Sequence, residues 1–271
     1  MLERHYSGKE EKVKKILPEL FPELSYSEIS ACLRRRDVKV NGKRTSSDTL
    51  VSNGLFQIYP KVKKSVKILF EDENLLAVYK PKGISSDGEG SFSGLVREEI
   101  GENCVLMHRL DRNTDGILLF AKTEIAEREL FSAMKEGRIE KKYSAEVYGR
   151  VLSSQPIELT YYYKKDEKNA RAILSTRPKE GYVPVSISFI PIKRKEESTV
   201  LEVTLHKGKM HQIRAMLARY GFFIIGDGKY GNDAVNKALG VKKQLLTATS
   251  VSFDFPEKSA LAYLNKIHIS L

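Results

Sequence analysis

Residues 108–122 read HRLDRNTDGILLFAK and place an imidazole, two guanidiniums and two carboxylates within eight positions, from His108 to Asp115. A carboxylate can work as general acid, general base or nucleophile, and an approaching guanidinium keeps it ionised. Asp111, with Arg109 and Arg112 on either side, has the makings of such a group. The next six residues, 116–121 (GILLFA), form a continuous apolar run introduced by the turn-prone Asn113-Thr114-Asp115-Gly116. This pattern predicts a buried strand. A charged loop fastened to a buried strand holds polar side chains rigidly. Spacing alone also fits a purely structural Arg–Asp pair, because structural ion pairs produce the same clusters.

Two later segments supply further reactive side chains and the elements to hold them. Residues 141–149, KKYSAEVYG, alternate as a strand that carries Tyr143. Residues 208–214, GKMHQIR, lead into a helix with Ile213, Met216, Leu217 and Tyr220 as its apolar stripe and Gly221 as its stop. His211 and Arg214 lie off the centre of that stripe. A cation close to a helix start is disfavoured by the macrodipole, so Arg214 calls for an anionic partner.

Around these segments the chain predicts strands over 66–70 and 75–79, a short helix near 91–100, and strands over 170–176, 183–192 and 199–206. A helix is expected over 124–136, capped by Thr123, stopped by Gly137, with Ile125, Leu130, Phe131 and Met134 facing the core. Strands interleaved with few helices indicate an α+β fold with a mixed, largely antiparallel sheet around a central cleft. Tyr161-Tyr162-Tyr163 beside Lys164-Lys165 could stack on bases, although aromatic strand edges are common.

The first sixty residues read as a separate small α/β module. A helix is expected over 9–17, with Val13, Ile16 and Leu17 on its apolar face and its end before Pro18. A second helix opens on the capping box Ser25-x-x-Glu28, continues through Ile29, Cys32 and Leu33, and runs into Arg34-Arg35-Arg36. Asn41-Gly42 then marks a tight hairpin ending in Lys43-Arg44, and a strand follows over 55–59. Three arginines at a helix end and two basic residues at a hairpin tip form a patch suited to phosphates. Residues 61–67, KVKKSVK, read as a linker, with the large domain over 68–271.

Composition points the same way. The 271-residue chain carries a net charge of +11, and residues 1–64 hold 14 Lys/Arg against 8 Asp/Glu, so over half the excess sits in less than a quarter of the chain. Such asymmetry suggests a polyanionic partner, nucleic acid being the usual one. Cys32 and Cys104 are too few and too far apart for a disulfide framework or a zinc site. His108, His206 and His211 match no metal-ligand spacing. No apolar stretch approaches the ~18 residues of a spanning helix, and the N-terminal residues lack a signal-peptide core. A soluble cytoplasmic monomer, without metal or cofactor, is therefore expected.

The H-R-L-D-x-x-T-x-G pattern of 108–116 resembles the signature of RNA pseudouridine synthases of the RluA type. The resemblance implies that Asp111 is the catalytic carboxylate. It implies that Tyr143, in the similar K-x-Y-x-A-x-V-x-G block, contacts the target base. Arg214, the last residue of a block similar to G-R-x-H-Q-[IL]-R, would pair with Asp111. Arg109, His108, Lys209 and His211 would contact RNA, with Arg109 filling the space a flipped base vacates. Two departures stand out: Asp115 replaces the usual Ser, and Lys209 the usual Arg. Residues 226–231, GDGKYG, match a further turn of the family. The N-terminal stretch LSYSEISACLRRRDVKVNGK resembles the small αL RNA-binding domain of the S-four type, with Arg34, Arg35, Arg36, Lys43 and Arg44 as its RNA contacts. The expected partner is ribosomal RNA before transfer RNA. The alternatives are a non-catalytic RNA-binding protein on the same scaffold, and a metal-dependent nuclease using Asp111 and Asp115.

Overall fold

The computed structural model describes residues 1–59 and 66–271, arranged in two compact units, Met1–Lys64 and Ser65–Leu271. Most of the expected linker, residues 61–65, lies outside the described residues.

In the first unit, strand β1 (Leu2–Lys12) leads into helix α1 (Val13–Leu20), followed by α2 (Tyr26–Arg34), β2 (Val38–Val40), β3 (Lys43–Arg44) and β4 (Leu50–Ile58). The sheet order is β1-β4-β2-β3, with every pair antiparallel. β1 was not expected from the sequence: only Leu2 and Tyr6 of its inner face pack on the core, and charged residues fill most other positions. α1 starts four residues later than predicted and passes through Pro18 to Leu20. Pro18 forgoes one backbone hydrogen bond, but Val13, Ile16 and Leu17 are fully buried beside Phe21, Ile29 and Phe56, and that packing holds the last turn. The Ser25–Glu28 capping box forms as read, and Asn41 and Gly42 both adopt positive φ, 49° and 77°, as a type I′ hairpin requires.

The second unit opens with β5 (Lys67–Glu71), β6 (Leu75–Lys80), α3 (Phe92–Glu99), β7 (Val105–Leu106), β8 (Asp115–Ala121), α4 (Glu124–Glu136) and β9 (Ile139–Tyr148). It continues through β10 (Ile157–Asp166), β11 (Arg171–Ser175), β12 (Val183–Arg194), β13 (Ser198–Leu205), α5 (Gln212–Tyr220), α6 (Asp233–Ala238), β14 (Leu246–Phe253), a 3-10 turn (Ala262–Lys266) and β15 (His268–Ser270). One sheet runs β11-β10-β12-β13-β9-β14-β8-β6-β5, with β15 on β14 and β7 on β8. Among the described residues only β14 and β8 pair in parallel. The fold is therefore α+β with a mixed, largely antiparallel sheet.

The apolar run that opened the sequence reading is buried on both faces, which is why it lacks alternation. Leu118 and Phe120 of β8 face a core shared with Tyr143, α3 and α5, while Ile117, Leu119 and Ala121 face a second core under α4. Gly116, at the root of this strand, has a φ of +116°, and a Cβ there would lie 2.2 Å from the backbone oxygen of Ala248 on β14. Only glycine lets the parallel pair close at that point.

Two expected core faces are corrected. On α4 the buried residues are Ala126, Leu130 and Ala133, whereas Ile125 and Phe131 are exposed. The helix lies on the sheet through small side chains, so its contact stripe is rotated from the one that side-chain size suggests. On α5, Tyr220 is also exposed, while Ile213, Met216 and Leu217 are buried.

Candidate active site

Asp111 sits in the loop between β7 and β8, and the backbone on either side of it is clamped. The buried Ser86 hydroxyl donates to Leu110 O at 2.8 Å and accepts from Leu110 N at 3.0 Å. On the other side, Gly83 N donates to Arg112 O at 2.7 Å and Arg112 Nε donates to Gly83 O at 3.1 Å. The fully buried Lys80 ammonium gathers the carbonyls of Pro81, Ile84 and Arg112. Burial lowers Lys80 to about 8. Thr114 N closes the turn on Asp111 O at 3.0 Å. None of Lys80, Gly83 or Ser86 was assigned a role from sequence. Each of them bonds the backbone of the Asp111 loop from a stretch distant in sequence, which leaves no local signal.

The guanidinium that meets Asp111 comes from neither flanking arginine. Arg112 is turned to Gly83, and Arg109 is exposed. Arg214, on the first turn of α5 and only 7% exposed, donates from Nη1 to Asp111 Oδ2 at 2.7 Å. Its Nε and Nη2 both reach Asp227, each at 2.7 Å. Asp227 is buried and also accepts from Lys229 N and Tyr230 N. Burial opposes both charges, but the pairing outweighs it: Arg214 is held above its ordinary value and Asp227 below its own. Gly226, with a φ of +79°, lets this loop pass within 2.3 Å (measured from a would-be Cβ) of Lys243 O. The sequence placed this segment in a glycine-rich turn and assigned Asp227 no function. The macrodipole argument asked for one anion beside Arg214, and the fold supplies two.

Tyr143, on β9, is 6% exposed. Burial first, and the nearby Asp111 charge second, push its hydroxyl well above the ordinary tyrosine range. It therefore remains a protonated aromatic surface beside the carboxylate. His211 also stands near Asp111, with Nε2 3.9 Å from Oδ1, too long for a hydrogen bond. Its Nδ1 lies 3.1 Å from the hydroxyl of Tyr230, a residue the sequence reading also left without a role. Lys209 is exposed just before α5.

Two expected features take a different place. The His108 imidazole accepts a hydrogen bond from Leu119 N at 3.3 Å, and burial together with Lys141 lowers it from 6.5 to about 3. It is neutral at pH 7, and its Nε2 is taken up by the backbone of β8. The second carboxylate, Asp115, accepts from Tyr79 OH at 2.8 Å and from Thr247 OH at 2.7 Å, with Lys82 Nζ at 3.6 Å. Both of its oxygens are engaged by neighbouring segments, and the Tyr79 hydroxyl is pushed up to about 12 by burial and by Asp115.

In the N-terminal unit, Arg34, Arg36, Lys43 and Arg44 line one groove of about 750 Å³ with the hydroxyl-bearing Thr45, Ser46 and Ser47. Arg35 is absent from its lining: its Nε is paired with Asp37 at 2.7 Å, and Nη2 reaches Cys32. The Tyr161–Tyr163 run divides across its strand, with Tyr163 in the core. Among the described residues no group of three or more His, Cys, Asp or Glu is placed to hold a metal ion, and no helix is long and apolar enough to cross a membrane.

The sequence model of the RNA pseudouridylate synthase family matches residues 74–219, and the chain belongs to that family. Similar proteins include a ribosomal large subunit pseudouridine synthase C of Pasteurella multocida, 31% identical over 260 residues that cover 86% of this chain and 79% of that protein. Another of that name, from Rickettsia bellii, is 27% identical over 252 residues, covering 82% and 83% respectively. The fold is shared with human RNA pseudouridylate synthase domain containing 1, at a TM-score of 0.64 and 16% identity, over 79% of this chain and 86% of that one. The protein is an RNA pseudouridine synthase.

Proposed function

We propose that this synthase converts specific uridines of ribosomal RNA to pseudouridine, with Asp111 as its catalytic carboxylate. The single observation behind this reading is the meeting of Asp111, Arg214 and Tyr143 at one point from three distant stretches of chain. The relatives named for the large ribosomal subunit favour ribosomal over transfer RNA. The reaction breaks the C–N bond between C1′ and N1, turns the uracil, and joins C1′ to C5; the hydrogen on C5 then leaves as a proton, and N1 takes one up. A uridine inside a stem must first be flipped out, at a cost of a few kcal/mol. Arg109, exposed at the loop, fills the vacated stack, and Lys209 meets the backbone. Tyr143 packs against the extruded base. Asp111 acts beside the ribose as nucleophile or base, held in place by Arg214.

The N-terminal unit is read as an αL-type RNA-binding module over 1–60, joined through 61–67 to the synthase domain over 68–271. Its support is the basic groove of Arg34, Arg36, Lys43 and Arg44, a surface suited to a phosphate backbone. The enzyme is taken to act as a cytoplasmic monomer without a cofactor. The test is to incubate unmodified large-subunit ribosomal RNA with the purified protein and map pseudouridines along it. A few discrete sites are expected; modification confined to transfer RNA would redirect the substrate, and none in either RNA would contradict the proposal.

A further inference from the structure

His211 is the N-cap of α5, yet it caps nothing with its side chain and adopts a left-handed backbone, with φ at 57°. A non-glycine residue held there is strained, and such strain gathers at functional sites. Its side chain is 13% exposed and stands beside Asp111 rather than in solvent.

The hydrogen bonds around it favour one ring nitrogen over the other as the site of the proton. Tyr230 OH accepts from Ala172 N at 2.6 Å. Burial raises the tyrosine's pKa, so the hydroxyl keeps its own hydrogen. That hydrogen is free to be given, and His211 Nδ1 at 3.1 Å is the acceptor on hand. Nδ1 is then unprotonated, and the proton of the neutral ring sits on Nε2. Burial holds the imidazole below its ordinary pKa, and the positive end of α5 opposes an imidazolium in the same sense. Arg214 and Lys229 also oppose it, while Asp111 and Asp227 favour it less strongly than burial acts. Among the described residues Nε2 makes no hydrogen bond. It lies 3.9 Å from Asp111 Oδ1, beside the carboxylate proposed to react.

We propose that the Nε2–H of His211 donates a hydrogen bond to a carbonyl oxygen of the target uracil, stabilising the charge the base takes on as its glycosidic bond breaks. In that step the C1′–N1 pair of electrons leaves with the ring and spreads from N1 onto O2 and O4, while C1′ is satisfied by the lone pair of the ribose O4′ or by the Asp111 carboxylate. No proton leaves the imidazole, so the step balances without another reactant. A preorganised donor aimed where charge develops contributes more to the transition state than to the ground state. His211 is thereby a catalytic residue, and Tyr230 is the positioning residue that sets its tautomer. The inference rests on the reading of Asp111 as the catalytic carboxylate of a uridine isomerase.

Two measurements test it on the full-length enzyme. In the first, nitrogen-15 spectra of the protein labelled at its five histidines report the tautomer, with His211→Asn identifying the signal because Asn tolerates the left-handed backbone. An unprotonated Nδ1 and a protonated Nε2 are expected at pH 7; a protonated Nδ1 would overturn the proposal. In the second, His211→Ala is expected to lower kcat on the order of 10²-fold, with KM for RNA nearly unchanged. RNA carrying 2-thiouridine or 4-thiouridine at the target offers sulfur, a poorer acceptor, at one carbonyl position. One of the two should slow the wild type about tenfold, a loss of about 1.4 kcal/mol, and that penalty should vanish in His211→Ala. Thio penalties equal in the two proteins, or absent in both, would overturn the role. Failure here with Asp111→Asn still inactive removes His211 alone; an active Asp111→Asn removes the reading beneath it.

Discussion

Arg214 divides its guanidinium between two carboxylates: Nη1 meets Asp111 at 2.7 Å, while Nε and Nη2 grip the buried Asp227, also at 2.7 Å. The bidentate contact is with Asp227, not with the group proposed to do chemistry. Asp227 fixes the plane of the guanidinium, so that one remaining N–H is aimed at Asp111 without a search.

Asp227→Asn removes the buried negative charge and leaves Arg214 under-compensated. Breaking a buried pair from one side costs about 3–5 kcal/mol, which urea unfolding will register. In the folded fraction kcat should fall at least tenfold, with KM for RNA little changed, because Arg214 no longer orients Asp111. A stable variant of normal kcat would show that Arg214 needs no second anchor.

The Ser86 hydroxyl tests the backbone clamp. It donates to and accepts from Leu110, the residue before Asp111. Ser86→Ala leaves a buried N–H and a buried carbonyl unpaired, at about 1–3 kcal/mol each. We expect a stability loss of about 2–6 kcal/mol for the two groups together, with lowered turnover. Loss of stability with unchanged turnover in the folded protein would separate the clamp from the positioning of Asp111.

Much of this architecture was readable in the sequence, and the parts that were not share a cause. The loop-and-strand reading of 108–122 corresponds to the Asp111 loop and β8, because turn residues and a continuous apolar run are local signals. The Ser25 capping box and the Gly137 stop are local in the same way. The contact stripe of α4 was misread because Ala126 and Ala133 bury less area than Ile125 and Phe131 offer, and close approach to the sheet decided the matter. Asp227, Tyr230, Ser86 and Lys80 were passed over because each acts through a partner distant in sequence. Periodicity likewise does not show that Arg35 of the triple arginine turns back to Asp37.

His108 makes a prediction on the acid side. Its folded value, about 3, lies below the ordinary 6.5 of the unfolded chain. Between these values the unfolded state binds a proton that the folded state refuses. The stability associated with the neutral ring is thus fully present above pH 6.5 and is lost as pH falls toward 3. Relative to His108→Gln, the wild type should lose up to about 1.4 kcal/mol per pH unit in that window. Urea unfolding of both proteins from pH 7 to 4 checks this. A constant gap would mean the ring is protonated in place at little cost.

The most direct test of the central claim is release of tritium from 5-tritiated uridine in RNA by Asp111→Asn. The substitution keeps the size of the side chain and removes the charge that Arg214 meets at 2.7 Å. The account predicts no release above background while RNA binding, measured on the same preparation, stays close to wild type. Turnover near the wild-type rate in that variant would contradict it and take Asp111 out of the mechanism.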